Sequence, residues 1–284
     1  MRVRVGDVRL YFDVEGPGLV PDGLRMAGRR TVVLVHGGPG ADHSVFKPWL
    51  SPLADTAQLV YLDLPGSGRS DRGDPARWEW DRWAEDVADF CDALEIESPV
   101  LLGTSCGGWV ALTCALDHPG AVAGIVLDSV MPATHEQTLA VFARTGGPEV
   151  VAIARRFFAG ETGEEIAEAW RERCLPLCTR RAPGALEDVV ARMERNPEVE
   201  WRLRTGQMAP FDVWDRLAEL DCPVLVLAGE DDPMTPASQA ARLATGLVNA
   251  PVTFESYPFC GHGVFREVPD EALAATRRFL ATLG

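Results

Sequence analysis

The sequence predicts an α/β protein with a mostly parallel central sheet that is covered by helices on both faces. Short apolar segments alternate along the chain with helical patterns, as they do in sheets built from strand–helix–strand units. The chain has 284 residues, of which 46% are hydrophobic, and this is enough to bury a sizeable core. One long segment, residues 131–215, breaks the alternation, because it contains several helical patterns in succession and no convincing strand.

The predicted strands follow in order from the N-terminus. In VRVGDVRLYFDV, two short strands flank a Gly-Asp turn. The segment at 30–36 predicts a buried strand, and five further apolar segments predict strands, at residues 57–64, 99–105, 122–130, 222–229 and 251–258. Before the segment at 99–105, apolar residues recur at helical spacing and predict an amphipathic helix: Trp83, Val87, Phe90, Cys91 and Leu94.

The helical segment 131–215 is predicted to be an inserted domain, with residues 1–130 and 216–284 forming the core domain. Ligands bind outside the carboxyl ends of the strands in open α/β sheets, and an insertion that follows a strand lies over that edge. We therefore expect residues 131–215 to form a helical cap domain above the functional site.

Composition and charge exclude several classes of function. The formal charge of −15, from 42 acidic and 27 basic residues, repels a nucleic acid backbone. The first residues lack the apolar core of a secretory signal, and no segment approaches the length of a membrane span. Seven cysteines without a disulfide-scaffold pattern predict reduced thiols. We expect a cytoplasmic protein that binds neither nucleic acid nor membrane, and the sequence leaves its oligomeric state open.

Two possible nucleophiles stand side by side in LLGTSCGGWVAL, residues 101–112. A G-x-S-x-G sequence between an apolar strand and an apolar helix predicts a tight, strained turn with its central residue at the apex. Gly103, Ser105 and Gly107 fit that pattern. Cys106 would instead begin the helix and contribute its main-chain N–H. Ser105 is therefore the predicted nucleophile, and the alternative is a glycine-rich turn that only packs a helix on a sheet.

The segment VLVHGGPG, residues 33–40, directly follows a buried strand. A glycine-rich turn at this place can direct an N–H at a developing oxyanion, so that Gly38 and Cys106 would supply the two donors. A phosphate-binding loop is the alternative, but the segment contains neither G-K-[ST] nor G-x-G-x-x-G. Nucleotide binding is therefore disfavoured, and His36 is predicted to be structural.

A general base and the acid that orients it are predicted late in the chain. Of five histidines, only His262 follows both the serine and the loop acids, in the order Ser, Asp, His that accompanies such nucleophile turns. Asp231 and Asp232 both follow the strand at 222–229, before a helix that Thr235 is predicted to cap. Spacing alone does not choose between the two acids. Three other histidines are predicted at the surface or at helix ends: His43, His118 and His135.

With these motifs the chain resembles the α/β-hydrolases of the proline iminopeptidase family. The matching segments run through nearly the whole chain outside the predicted cap: HGGPG at 36–40, DLPGSGRSD at 63–71, GTSCGG at 103–108, GEDDPMTP at 229–236 and GHGVF at 261–265. The resemblance implies an α/β-hydrolase fold and a triad of Ser105, Asp232 and His262. The family pattern G-x-x-D-x-x-x-P selects Asp232, because it runs from Gly229 to Pro236.

The chain also departs from the family pattern. It has LP at 64–65 where the family has Gln-Arg, and GTSC at 103–106 where the family has Gly-Gly-Ser-Trp. Both changes also occur in esterase-type relatives. In the family, acidic residues of the cap bind the substrate's free amino group, yet the usual place holds QM at 207–208. The possible substitutes in this chain are Glu187, Glu194, Glu200 and Asp212.

The resemblance implies a serine hydrolase that cleaves an N-terminal aminoacyl amide bond through an acyl-enzyme, with no metal or organic cofactor. The expected substrate is a small molecule or short peptide with a free amino group. An esterase, thioesterase or carbon–carbon bond hydrolase is the enzymatic alternative, and a non-catalytic ligand receptor is the other. The aromatic residues of the cap are predicted mainly to pack inside it, although some could line a tunnel for a lipophilic leaving group: Phe142, Phe157, Phe158, Trp170 and Trp201.

Overall fold

The structure is a computed structural model that describes residues 1–131, 135–182, 185–209 and 211–283. Eight of the strands in these ranges form one sheet in the order β1-β2-β6-β5-β7-β8-β9-β10, and β3 and β4 form a separate hairpin. The strands are β1 Arg2–Val5, β2 Val8–Glu15, β3 Leu19–Asp22, β4 Arg25–Gly28, β5 Thr31–Val35, β6 Gln58–Leu62, β7 Val100–Thr104, β8 Gly124–Asp128, β9 Val224–Gly229 and β10 Val252–Tyr257.

The strands from β6 to β10 in the sheet order pair in parallel, whereas β1 and β2 add an antiparallel edge. This confirms the predicted fold class. Each of these six predicted strands lies inside the segment that predicted it, and β1 and β2 flank the predicted Gly-Asp turn. In a parallel arrangement, the carboxyl ends of β5, β7, β8 and β9 meet at one edge of the sheet, where the predicted site residues follow them.

The α-helices cover both faces of this sheet and fill the long connection between β8 and β9. They are α1 Trp80–Ala93, α2 Cys106–Asp117, α3 His135–Phe158, α4 Glu164–Ala169, α5 Ala185–Arg192, α6 Pro197–Arg204, α7 Ala237–Gly246, α8 Val264–Glu267 and α9 Pro269–Thr282. The helix α3 is broken at Gly147, where φ is 76°. In the described parts of the chain, no helix is both long and apolar enough to cross a bilayer.

Two apolar clusters fill the spaces between the sheet and its covering helices. Val33 and Val35 of β5 point into one cluster, together with side chains of α1 and α2. Val32 and Leu34 point into the other, together with side chains of α9. Because both faces of the sheet are buried at β5 to β9, these strands are nearly continuous apolar runs, and this property made them recognisable in the sequence.

The connection between β8 and β9 has an apolar cluster of its own. Phe142, Phe157 and Trp170 are buried in it, with the Phe157 and Trp170 rings stacked 4.0 Å apart. Phe158 packs against the same cluster, whereas Trp201 is 39% exposed. Internal packing is thus confirmed for four of the five aromatic residues. Helices alone, without strands, occupy the described parts of residues 131–215, and their assignment to a separate cap domain stays a prediction.

Candidate active site

Ser105 occupies the turn between β7 and α2 in a conformation that non-glycine residues rarely adopt. Its φ is 53° and its ψ is −126°, and its N–H donates to the Asp128 carbonyl at 2.9 Å. A Cβ atom at Gly107 would lie 2.1 Å from the Val35 carbonyl oxygen, and one at Gly103 would lie 2.5 Å from the main chain of α2. The glycines therefore let the helix approach the sheet, and the predicted strained turn is confirmed.

Cys106 begins α2 and is buried, so its chemistry differs from that of its neighbour. Burial raises the pKa of the Cys106 thiol to about 12, although main-chain N–H groups, including that of Gly38, lower it in part. The residue therefore holds a neutral thiol at neutral pH, and the thiol is a weak nucleophile in that form.

The loop after β5 packs directly on the serine turn. A Cβ atom on Gly37 would lie 2.9 Å from Cβ of Ser105, so any larger residue would push the two segments apart. Gly38 has a φ of 61°, which favours glycine. His36 is buried, and its Nε2 accepts a hydrogen bond from the Leu64 N–H at 3.2 Å, in agreement with a structural role.

The segment before α6 holds this loop from the other side. The Asn196 N–H donates to the Gly40 carbonyl at 2.7 Å, and the Glu194 N–H donates to the buried Asp42 carboxylate at 3.0 Å. A Cβ atom on Gly40 would lie 2.1 Å from the Asn196 carbonyl oxygen. The loop that carries Gly38 is thus enclosed between the serine turn and the predicted cap.

His262 and Asp232 form a hydrogen-bonded pair at the ends of two loops. Nδ1 of His262 lies 2.8 Å from Oδ2 of Asp232, whose side chain is fully buried. Oδ1 of Asp232 accepts the N–H groups of Met234 at 2.8 Å and Thr235 at 3.0 Å. The Thr235 hydroxyl donates to Oδ2. With four donors around it, the carboxylate has one orientation, and it faces the imidazole.

The prediction that Thr235 caps the next helix is wrong. The helix α7 begins at Ala237, and Pro236 stands at its cap position without a side-chain hydrogen bond. The Thr235 hydroxyl is unavailable for capping because it is used by Asp232. Asp231, the other candidate acid, points elsewhere, and its Oδ2 accepts from Nε of Arg180 at 3.1 Å.

The pKa of His262 lies above its ordinary value as the net result of two opposed effects. Burial alone lowers the pKa, but the charge of Asp232 and its hydrogen bond raise it by more. The imidazole therefore holds a proton more readily than a free histidine does. This is the property of a base that becomes positively charged during a reaction and is stabilised by the acid behind it.

Asp128 and Ser129, at the end of β8, are functional candidates that the sequence analysis missed. The Asp128 carboxylate accepts from the Thr104 hydroxyl at 3.0 Å and from the Val264 N–H at 2.7 Å. The Ser129 hydroxyl accepts from the Gly263 N–H at 2.8 Å. Burial raises the pKa of Asp128. These two residues join the serine turn to the loop of His262. Asp128 could have been found from the sequence, because it is a carboxylate at the end of the apolar run GIVLD.

The predicted amine-binding acids of the cap contact other partners. The Glu194 carboxylate lies 3.5 Å from Arg69, and that of Glu200 lies 2.8 Å from Arg195. Asp212 accepts from the Trp214 N–H at 3.0 Å in an exposed turn. The side chain of Glu187 lies outside the described part of the structure. The structure thus gives three of the four candidates partners within the protein, and their role in binding an amine stays a prediction.

The remaining histidines lie at helix ends, as predicted. His43 begins a short 3₁₀ helix and is buried, and its Nδ1 lies 2.7 Å from the Asp63 carboxylate. His118 directly follows α2, and His135 begins α3, as expected for helix-end residues. Within the described ranges, no three His, Cys, Asp or Glu side chains are grouped so that they could hold a metal ion.

The fold and this site define a hydrolase of the α/β-hydrolase class. The alpha/beta hydrolase fold family matches residues 30–268, so the chain belongs to that family. The chain is 29% identical over 261 residues to the putative carbamate hydrolase RutD of Variovorax paradoxus, with 89% of each chain covered. It is 25% identical over 285 residues to proline iminopeptidase of Lactobacillus helveticus, with 90% of this chain and 92% of the relative covered.

A solved structure has the same fold as this chain. Proline iminopeptidase of Mycobacterium smegmatis superposes on the chain with a TM-score of 0.78 at 23% identity, with 100% of this chain and 98% of that chain covered. The α/β-hydrolase fold that the resemblance implied is thereby confirmed, and relatives named proline iminopeptidase are among those that the chain matches.

Proposed function

We propose that the protein is a serine hydrolase that cleaves an N-terminal aminoacyl amide bond. The observation that carries the proposal is the His262–Asp232 hydrogen bond of 2.8 Å, in a loop that Asp128 joins to the strained turn of Ser105. In this proposal Ser105 is the nucleophile, His262 is the base, and Asp232 orients the imidazole. The main-chain N–H groups of Gly38 and Cys106 form the oxyanion hole.

The reaction follows from these roles. Oγ of Ser105 attacks the carbonyl carbon while His262 accepts the hydroxyl proton, and the charge on the carbonyl oxygen is stabilised by the two N–H groups. Each such donor contributes about 3 kcal/mol in comparable sites. His262 then gives its proton to the leaving amine, which departs and leaves an ester on Ser105. A water molecule, activated by the same imidazole, hydrolyses that ester and releases the acid.

Two observations favour an aminoacyl amide over other acyl substrates. The HGGPG motif at 36–40 is typical of the iminopeptidase branch, and the relative from Lactobacillus helveticus is named proline iminopeptidase. The expected substrate is a small molecule or short peptide with a free amino group. No cofactor, nucleic acid or membrane takes part in this proposal, and a cytoplasmic location is part of it.

A general esterase or carbamate hydrolase is the second candidate. It is favoured by the GTSC turn at 103–106 and by the ion pairs that occupy Glu194 and Glu200. One relative is named a putative carbamate hydrolase. An ester or carbamate carbonyl would react at the same serine and would need no carboxylate for a substrate amine.

The experiment that separates these candidates compares three substrates. We expect a free aminoacyl p-nitroanilide to be cleaved and its N-acetyl counterpart to resist cleavage. A buried ammonium needs a carboxylate partner for its charge, and acetylation removes the charge that this carboxylate would bind. A p-nitrophenyl ester serves as the general acyl substrate, and Ser105→Ala as the inactive control. Equal cleavage of the free and acetylated amides would support the esterase and contradict the aminopeptidase.

The carboxylate that binds the amine can be found by neutralising each cap acid in turn. We expect one of Glu187→Gln, Glu194→Gln, Glu200→Gln and Asp212→Asn to lower kcat/KM for the free amide by at least about tenfold, the loss of one charge-assisted hydrogen bond. Glu172→Gln, at an exposed position of the same segment, is the matched control. If all four variants keep wild-type kcat/KM, the amine is bound elsewhere or not at all.

A further inference from the structure

A short segment of the predicted cap, residues 178–181, lies across the loop that carries His262, and we call this segment the strap. The His262 N–H donates to the Cys178 carbonyl at 2.7 Å. A Cβ atom on Gly261 would lie 2.4 Å from the same carbonyl oxygen. The main chain of the histidine loop is therefore in direct contact with the strap. The strap thus helps to fix the position of the His262 main chain, from which the imidazole extends.

The carboxylate of Glu267, the last residue of α8, holds the two segments together. Its Oε1 accepts from the Thr179 hydroxyl at 2.5 Å. Its Oε2 accepts from the Arg180 N–H at 2.7 Å and from the Gly261 N–H at 3.1 Å. One charged group thus joins the strap to the residue that precedes His262, through hydrogen bonds of the stronger, charge-assisted kind.

The other contacts of the strap are more exposed. Arg180 pairs with Asp231 at 3.1 Å, with side chains 30% and 36% exposed. The Arg181 guanidinium donates to the Arg266 carbonyl. Exposed ion pairs contribute at most about 1 kcal/mol. The Glu267 carboxylate, which is partly buried and accepts from both segments, is therefore the principal side-chain connection between them.

We infer that Glu267 is a positioning residue that fixes His262 relative to Ser105 by clamping the strap on the histidine loop. The inference rests on the proposed roles of Ser105 and His262. Asp232 fixes the imidazole from its Nδ1 side, and Glu267 fixes the main chain from which the side chain extends. A displacement of about 1 Å can slow a reaction about a hundredfold, so both constraints matter.

A fluorophosphonate probe tests this without knowledge of the substrate, because its reaction needs the activated serine. We expect Glu267→Gln to slow inactivation by about tenfold or more, since an amide offers one acceptor where the carboxylate offers two. Thr179→Val, which removes only a hydroxyl, should slow inactivation less. The double variant should be no slower than Glu267→Gln, because both changes remove the same connection. Glu271→Gln, an exposed acid of α9, is the control and should match the wild type.

The pH dependence of inactivation adds a readout that reports on the imidazole. In Glu267→Gln, we expect the rise of the rate with pH to move to lower pH, because a displaced imidazole loses part of its contact with Asp232. An inactivation rate within twofold of wild type in Glu267→Gln, or additive losses in the double variant, would overturn the inference. Loss of labelling in Ser105→Ala is required in either case, and labelling that persists there would contradict the proposed function instead.

Discussion

Ser105 and Cys106 are neighbours in the chain, yet their surroundings assign them different chemistry. Ser105 is at the apex of the turn, whereas the thiol of Cys106 is buried and has a pKa of about 12. We expect Ser105→Ala to abolish turnover and Cys106→Ala to keep most of it, because Cys106 contributes through its main chain. Steady-state kinetics with a p-nitrophenyl ester checks this, and turnover that survives in Ser105→Ala would contradict the proposed nucleophile.

Asp231 and Asp232 are likewise adjacent, but only Asp232 contacts His262. We expect Asp232→Asn to reduce kcat by about 10⁴-fold, as loss of the orienting acid does in a comparable triad. Asp231→Asn should cost far less, because it removes only an exposed ion pair with Arg180. Similar losses in the two variants would contradict the assignment.

The raised pKa of His262 predicts the pH dependence of the wild type. A protonated imidazole cannot accept the proton of Ser105, so activity is lost as the pH falls through the pKa of His262. We expect the acid limb of kcat/KM to lie above the ordinary histidine range of about 6.5. In Asp232→Asn the limb should move to lower pH, and an unchanged limb would show that Asp232 does not interact with the base.

At the level of single residues, the sequence and the family resemblance together predicted the proposed triad and oxyanion pair, but they missed the residues that support them. Ser105 and His262 could be found because glycine motifs mark them. The supporting roles of Thr235 and Glu267 could not be found, because a hydroxyl or a carboxylate on a loop or short helix has no distinctive spacing. Only the folded chain shows that each contacts the loop of a site residue.

At the level of elements, the end of β8 connects two loops that are distant in sequence. Its Asp128 accepts hydrogen bonds from Thr104, before the serine, and from Val264, after the histidine. We expect Asp128→Asn to replace one of two acceptor oxygens by an N–H donor, so that the side chain no longer accepts from both loops, which costs about 1–3 kcal/mol of folding free energy. It should also lower kcat/KM about tenfold through misalignment of the two loops.

Thermal unfolding and steady-state kinetics check both expectations for Asp128. Asp89→Asn, an exposed acid on α1, is the control for removal of a charge. An Asp128→Asn protein with wild-type melting temperature and kcat/KM would show that the contacts at the end of β8 are dispensable.

The elements of the sheet were predictable because burial on both faces leaves nearly unbroken apolar runs in β5 to β9. The hairpin of β3 and β4 was not predictable, because its residues are largely exposed and do not alternate between apolar and polar side chains. The segment around β3 also contains Pro17, Gly18 and Pro21, which obscure a strand pattern.

At the level of the whole molecule, the charge of −15 creates a negative field around the protein. A substrate with a protonated amine would be attracted by this field, and salt screens such attraction over about 10 Å at 0.1 M. We expect kcat/KM for a free aminoacyl amide to fall as sodium chloride is raised, while that for a neutral ester changes little. A parallel salt response of the two substrates would argue against a cationic substrate.

The hydrogen bond between Asn196 and Gly40 has a consequence for chimaeric proteins made from related hydrolases. A Cβ atom at position 40 would collide with the Asn196 carbonyl oxygen, so the two segments fit only as a matched pair. A chimaera that inherits residues 131–215 from one hydrolase and the remaining chain from another would bring together surfaces that were never selected together. Recombination in this family should therefore succeed when the donor supplies the HGGPG loop along with the helices above it.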